Sequence, residues 1–192
     1  MFSNSSLFTP TTKEELQKAV DLWCENEGLA LEKYGNISNW DVSKITDMSK
    51  LFRKKYKFNS DISKWDVSNV TDMNWMFYFA RTFNQDISNW NVSNVTNMKF
   101  MFGYTSSFNS DLSNWDVSNV TDMERMFFKA SSFNSDISNW DVSKVTNMKW
   151  MFNGASSFNS DVSLWDVSNV KTKHNIFGNT IIKEEFKPKF KN

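Results

Sequence analysis

The most regular candidates for chemistry in this sequence are aspartates that recur at every twenty-fifth position. They are Asp61, Asp86, Asp111, Asp136 and Asp161. If equivalent residues stack, these carboxylates lie about 4.8 Å apart, and like charges facing one another are destabilising. Either backbone N–H groups in each turn compensate them and lower their pKa, or the row binds Ca²⁺. Calcium solenoids use glycine-rich loops and this chain has five glycines, so the backbone arrangement is preferred and no cofactor is expected.

Residues for nucleophilic catalysis are scarce. The single cysteine, Cys24, and the single histidine, His174, are too far apart in sequence for a zinc cluster. Serines recur in every repeat, whereas a catalytic serine is needed once, so we interpret them as forming side-chain-to-backbone hydrogen bonds at corners of the chain. There is no glycine-rich phosphate loop and no HExxH motif. The sequence therefore predicts a protein that is not an enzyme.

A set of aromatic residues that vary from repeat to repeat is the best candidate for binding. If each repeat contains a helical turn with Met73, Met76 and Phe77 facing inward, then Trp75 and Phe79 face solvent as an i, i+4 pair. Phe100 and Tyr104 form the same pair one repeat later. The candidate partner-binding residues are Trp75, Phe79, Phe100, Tyr104, Arg125 and Trp150. Exposed aromatic clusters mark interfaces, for a protein ligand or for a glycan that stacks on the rings; the alternative is packing onto neighbouring repeats.

The elements that must position these residues come from one strict repeat. Tryptophans at 40, 65, 90, 115, 140 and 165 are always 25 positions apart, within strings such as FNSDISKWDVSNVTDMNWMF at 58–77. Phe, Ile, Trp, Val and Met recur at fixed places in each copy, which predicts one continuous core made of columns. A strict period of this kind predicts a solenoid of about six repeats over 36–177.

The residue types within a repeat suggest an α/β fold. The β-branched residues predict two short extended segments that ladder in parallel with their neighbours. The threonines Thr46, Thr71, Thr96, Thr121 and Thr146 are placed as N-caps of one helical or 3₁₀ turn per repeat. Residues 12–27 begin with the capping box Thr12 and Glu15 and predict an N-terminal capping helix that stops at Gly28. We therefore divide the chain into an N-terminal extension and capping helix (1–35), the solenoid (36–177), and a basic C-terminal cap (178–192).

Charge and hydropathy narrow the partners. The net charge is zero, which gives no reason to expect a nucleic-acid partner. The sequence contains no run of eighteen apolar residues, so it predicts no membrane span. Residues 1–35 are acidic and 171–192 are basic, so we expect a monomer or weak head-to-tail self-association. Residues 1–10 lack the features of a signal peptide.

The string DxSxWDVSNVTxMxxMF, repeated at 25-residue spacing over about 36–177, resembles the repeat of BspA-like leucine-rich repeat surface proteins. The resemblance implies a leucine-rich-repeat-like α/β solenoid that acts in protein binding and adhesion on a cell surface or outside the cell. Because no signal peptide is visible, a cytoplasmic or virion location is the alternative. The leading interpretation is thus a non-enzymatic protein-interaction or adhesion module, and the second is a carbohydrate-binding module.

Overall fold

The computed structural model of the protein describes residues 7–190. Two helices come first, α1 at Lys13–Glu25 and α2 at Glu27–Tyr34, followed by a 3₁₀ helix at Ile37–Asn39. A second 3₁₀ helix lies at Glu184–Phe186, in the C-terminal segment. The expectations for residues 1–6 and 191–192, the first part of the N-terminal extension and the end of the basic tail, lie outside the described residues.

The N-terminal helix forms for the reasons that its sequence suggests. The backbone N–H of Glu15 donates to the Thr12 hydroxyl (3.2 Å), and the Glu15 carboxylate accepts from the Thr12 N–H (3.3 Å), so the predicted capping box is present. The helix ends earlier than predicted, because Asn26 caps the start of α2 by accepting from the N–H of Leu29 (3.1 Å). Gly28 lies inside α2, so the predicted stop at Gly28 is wrong.

The repeats stack on one another in the register that the sequence period sets. Single parallel bridges join Asp47 to Asp72, Asp72 to Asn97, and so on to Thr172. Beside each bridge, alternate N–H groups donate to the next repeat: Trp75 to the carbonyl of Lys99 and Phe77 to that of Met101, both at 2.9 Å. The N–H groups between them donate back to carbonyls within the same repeat, forming a succession of tight turns.

The predicted α/β class is wrong. Within the described residues each repeat contributes one isolated bridge instead of extended strands, so there are no parallel strand ladders, and no α/β solenoid forms. The corners come too close together for strands. The side chain of Asp61 accepts from the N–H of Ser63, and shortly afterwards that of Asp66 accepts from Ser68, so each straight stretch between corners is very short.

The predicted helical or 3₁₀ turn in each repeat is also wrong. Trp75 and Phe79 have φ of 60° and 63°, in the left-handed region, and the equivalent residues of the other repeats do the same. Left-handed residues four positions apart interrupt any α-helix. The threonines are not N-caps either, because the hydroxyl of Thr71 donates to the carbonyl of Thr46 in the preceding repeat (3.2 Å).

The predicted core columns are confirmed. The repeated Phe, Ile, Trp, Val and Met side chains form one buried cluster from α1 to Ile182. Phenylalanines of one column stack on the next repeat, as Phe52 does on Phe77 with ring centroids 5.2 Å apart and Phe77 on Phe102 at 5.6 Å. The buried indole N–H groups are satisfied across repeats, as when Trp90 donates to the carbonyl of Ile62 (3.1 Å).

Both ends of this core are covered. Leu16, Ala19, Val20 and Trp23 of α1 are buried, and the Gln17 amide donates to the carbonyl of Leu51 (3.0 Å) in the first repeat. At the other end the N–H of Val162 donates to the carbonyl of Phe186 (2.9 Å), which holds the C-terminal segment against the last repeat. The exposed sides of the repeats are thus left to carry any binding site.

Candidate functional site

The candidate residues lie on one side of each repeat, which we call the turn face. It consists of the segments 48–57, 73–82, 98–107, 123–132 and 148–157. Two columns on this face have left-handed backbone, and both continue beyond it into the last repeat. The first column is Lys50, Trp75, Phe100, Arg125, Trp150 and Asn175, and the second is Lys54, Phe79, Tyr104, Lys129, Gly154 and Asn179. All six candidate residues lie in these two columns.

The rings on the turn face stack between repeats. Trp75 lies on Phe100 with ring centroids 3.9 Å apart and planes 16° apart, and Phe79 lies on Tyr104 at 4.1 Å and 9°. The predicted i, i+4 pairing was derived from a helix that does not form, and the pairs are instead i, i+25. Phe100 is the most buried of the set, with 8% of its surface exposed, whereas Trp75, Phe79 and Tyr104 are half-buried.

Tyr78 joins the two pairs into one cluster, and sequence reasoning missed it. Its ring contacts those of Trp75 (4.4 Å), Phe79 (4.7 Å), Phe100 (5.4 Å) and Tyr104 (5.7 Å), all edge to face. Burial raises the pKa of its phenol, which stays protonated at neutral pH.

The space for Tyr78 depends on a glycine. A Cβ atom at Gly103 would lie 2.9 Å from the Tyr78 ring, so no larger residue fits there without a shift. The sequence does carry this information, because Gly103 stands where the neighbouring repeats have Tyr78 and Phe128.

Basic side chains continue the stack beyond the aromatic residues. The Arg125 guanidinium lies between two rings, 5.0 Å from the Phe100 centroid and 3.7 Å from that of Trp150. Arg53 covers Trp75 at 5.1 Å, and Lys129 covers Tyr104 at 5.2 Å. Cation–π contacts of this kind stabilise by about 0.5–1 kcal/mol at exposed sites. The structure thus brings the six candidate residues into one connected strip.

One carboxylate lies in this strip, and its environment keeps it ionised. Glu124 is 8% exposed; its carboxylate accepts from the Lys99 ammonium (2.6 Å), pairs with Arg125, and accepts from the Asn147 amide (3.3 Å). Burial alone would raise the pKa of Glu124, but the hydrogen bond and charge of Lys99, together with the other partners, hold it below its usual value. Glu124 therefore fixes the two cations on either side of it.

The aspartate column occupies a different side of each repeat. Each carboxylate is exposed and accepts from the N–H of the serine two positions later, at 2.9 Å for Asp61 and Asp86 and 3.0 Å for Asp136. These serine hydrogen bonds lower the pKa of Asp61, Asp86, Asp136 and Asp161. The carboxylates Asp61, Asp86, Asp111, Asp136 and Asp161 all have this arrangement.

This geometry is the backbone alternative of the two that the sequence left open for the aspartates. Among residues 7–190 no group of three or more His, Cys, Asp or Glu residues is arranged to hold a metal ion. In these turns the serine donates its backbone N–H to the aspartate side chain, and the serine side chain hydrogen-bonds the same carboxylate. We had expected the serine side chains to bond to backbone groups instead.

The remaining candidates for chemistry lie apart from one another in the repeat stack. Cys24, on α1, is part of an open groove of about 400 Å³ lined by residues of both N-terminal helices and of 54–60, and burial raises the pKa of its thiol to about 11. His174 belongs to the last repeat, where its ring meets Trp150 edge to face at 5.7 Å. A thiol with this pKa is a poor nucleophile at neutral pH.

These features define a class of protein: a repeat protein in which short units stack around an aromatic core, with rings and cations displayed along one side. The chain belongs to the family described as "Mycoplasma protein of unknown function, DUF285", whose model matches residues 25–127 and 110–187. A search of curated proteins and a search of solved structures each gave no match.

The family match supports the resemblance only in general terms, as a repeat family of the surface-protein kind. It does not show the narrower assignment to BspA-like leucine-rich repeat proteins, and the function of the family is unknown. In the part of the chain that the structure describes, no helix is long and apolar enough to cross a membrane.

Proposed function

We propose that this protein is a non-enzymatic interaction module that binds a protein partner through its turn face. The observation that carries the proposal is the connected strip of rings and cations, from Arg53 through Trp75, Phe100 and Arg125 to Trp150. Half-buried aromatic residues with arginine beside them are the composition of protein interfaces and their hot spots.

The aromatic residues of the strip occupy left-handed backbone positions, which disfavour large side chains. The left-handed backbone conformation is less favourable by about 1–2 kcal/mol for a residue with a Cβ atom, and glycine or asparagine adopts it most readily. Other repeats make that choice with Gly154, Asn175 and Asn179 at equivalent positions. Aromatic side chains at Trp75, Phe79 and their neighbours are therefore not a requirement of the backbone, which supports a role in binding.

The orientation of the rings favours a protein partner over a glycan. A sugar that stacks on an aromatic residue needs an open ring face, but neighbours along the strip cover these rings. Phe100 lies between Trp75 and Arg125, and Tyr104 lies between Phe79 and Lys129. The strip offers ring edges and charged groups, which suit the mixed polar and apolar surface of a protein.

The absence of enzymatic activity is part of this proposal. It is supported by the high pKa of the Cys24 thiol and by the place of His174 against Trp150, with no nucleophile paired to it among the described contacts. We further propose a location on a cell surface and a role in adhesion, which the membership of the repeat family and the resemblance of the repeat string support.

A differential pull-down tests the proposal. The bait is the wild type, or a variant with Trp75→Lys and Trp150→Lys, in which lysine is chosen because Lys50 occupies the same column with the same backbone. We expect one or more proteins to bind the wild type and to be lost from the variant by about tenfold or more, measured by quantitative mass spectrometry. A hot-spot residue contributes about 2 kcal/mol or more, which is about thirtyfold in affinity.

The matched control is Leu31→Gln. Leu31 is 49% exposed on α2, so the control removes an exposed apolar side chain without touching the repeats. Unfolding midpoints of all three baits show whether the fold is kept. Equal capture by the wild type and the lysine variant would refute the proposal, and capture abolished by deglycosylating the extract would favour the carbohydrate alternative.

A further inference from the structure

The zero net charge hides two strongly charged sides. The five segments of the turn face carry ten Lys and Arg residues and a single carboxylate, Glu124. The segments 59–70, 84–95, 109–120, 134–145 and 159–170, which we call the aspartate face, carry nine aspartates and two lysines. The stacking of the repeats gathers these residues into a basic side and an acidic side, which the summed charge of the chain does not reveal.

Nine aspartates against two lysines leave the aspartate face with a large excess of negative charge. Asp61, Asp86, Asp111, Asp136 and Asp161 are all exposed, and they are not members of the ion pairs described among residues 7–190. The negative charge of Asp61 repels that of Asp86, and the charge of Asp161 repels that of Asp136. A row of cations placed against this column would relieve that repulsion.

The turn face carries at least one cation in each of its five segments, at positions that differ from repeat to repeat. Arg125 is fixed by Glu124 and by two rings, and Lys129 and Lys149 each lie over a ring of the strip. Each repeat contributes at least one cation to the turn face and one aspartate to the aspartate face, so both kinds of charge advance along the stack with the repeat. The basic and acidic rows can therefore meet in register over several repeats only when both belong to stacks with this spacing.

We propose that the turn face of one copy of this chain docks on the aspartate face of a second copy, side by side with the stack axes aligned. The inference rests on the proposed function, because it names the partner of the same face. Each copy keeps one free face after docking, so the contact is heterologous and the assembly can grow. It does not use the ends of the stack, in contrast to the head-to-tail association expected from the charges of the two termini.

Two variants separate the faces. The acid-silent variant carries Asp86→Asn, Asp111→Asn and Asp136→Asn; asparagine keeps the turn, as the natural Asn91 does when it accepts from the N–H of Ser93 (3.1 Å). The base-silent variant carries Arg81→Gln, Lys129→Gln and Lys149→Gln; Arg81 is the cation of segment 73–82 and lies over the Phe79 ring at 5.5 Å. Circular dichroism and unfolding midpoints verify that both variants are folded.

Sedimentation velocity is measured at ionic strengths of about 0.01 M and about 1 M, where the Debye length is about 30 Å and about 3 Å. We expect the wild type to grow in mass with concentration at low ionic strength and to be monomeric at high ionic strength. Each variant alone should associate about tenfold more weakly, since three ion pairs are lost. A mixture of the two variants should form a 1:1 complex that does not grow, because each variant retains one working face.

Several results would overturn the inference. The wild type could remain monomeric at low ionic strength, the mixture could fail to form a complex, or association could be abolished only by Lys187→Gln and Lys189→Gln in the C-terminal segment, which would indicate head-to-tail contact. The proposed function is tested separately from this inference. It stands, even if the chain does not self-associate, when a protein that binds the wild-type bait is lost from the Trp75→Lys, Trp150→Lys bait.

Discussion

Glycine should be more stable than alanine at Lys129, the reverse of what a helix requires. Lys129 is exposed and has a φ of 55°, and its equivalent in the next repeat is Gly154. Lys129→Ala and Lys129→Gly remove the same contacts with the rings of Tyr104 and Phe128. They differ only by one Cβ atom, so their comparison reports the backbone conformation alone.

The expected magnitude follows from two opposing effects. A Cβ atom in the left-handed region costs about 1–2 kcal/mol, while glycine loses about 0.5–1 kcal/mol more conformational entropy on folding. We therefore expect the glycine variant to be more stable by about 0.5–1 kcal/mol. If 123–130 were a helical turn, alanine would be more stable by about 1 kcal/mol, so the two structures predict opposite signs.

Thermal midpoints measured at one pH and salt concentration test this prediction. For a protein of this size about 1 kcal/mol corresponds to about 2–4 °C, so Lys129→Gly should melt about 1–4 °C above Lys129→Ala. The matched control is Lys18, which is exposed on α1, where alanine should melt above glycine by a similar amount. Alanine above glycine at both positions would refute the left-handed turn.

Three further predictions concern the strip, the aspartates and the core. Gly103→Ala should lower the thermal midpoint by several degrees, because the new Cβ meets the Tyr78 ring at 2.9 Å; an unchanged midpoint would contradict this packing. Asp136 has a lowered pKa in the folded state, so its contribution to stability is present above pH about 4 and is lost as the pH falls through the folded value. Asp136→Asn should therefore flatten the acid side of a stability-versus-pH curve, and an unaltered curve would count against the turn hydrogen bond. Trp115→Phe should lower the free energy of unfolding by about 1–3 kcal/mol, measured with denaturant, because the buried carbonyl of Ile87 loses the indole N–H that donates to it at 3.0 Å. A decrease below about 0.5 kcal/mol would show that the carbonyl finds another partner.

The core could be predicted from the sequence because it depends on periodicity alone. Any chain with a strict repeat of this length places equivalent residues in columns, and the apolar columns must face inward to be buried. The capping box of Thr12 and Glu15 is likewise local, involving residues three positions apart. The path of the backbone within a repeat was not predictable in this way. β-Branched residues suggested strands, and Met73, Met76 and Phe77 suggested a helix, but both patterns occur in a succession of turns.

The sequence predicted which residues form the candidate site but not how their side chains pack. Sequence reasoning placed Trp75 and Phe79 on an outer surface, and they lie half-buried on the turn face. It paired them with each other because it assumed a helix, whereas the rings stack on Phe100 and Tyr104 of the next repeat. Tyr78 was missed for the same reason, since two of its four ring contacts are with those same residues of the next repeat.

The amino-acid sequence by itself determined the period, the buried columns and the N-terminal helix, because these follow from spacing and local capping. Only the tertiary structure decided that each repeat is a chain of turns. The N–H groups of Trp75 and Phe77 donate to the carbonyls of Lys99 and Met101 in the next repeat, and no local sequence pattern specifies these bonds. The left-handed positions are also not marked by one recurring residue type. Tertiary structure also separated a neutral chain into a basic face and an acidic face, since stacking gathers equivalent residues of successive repeats into rows of like charge.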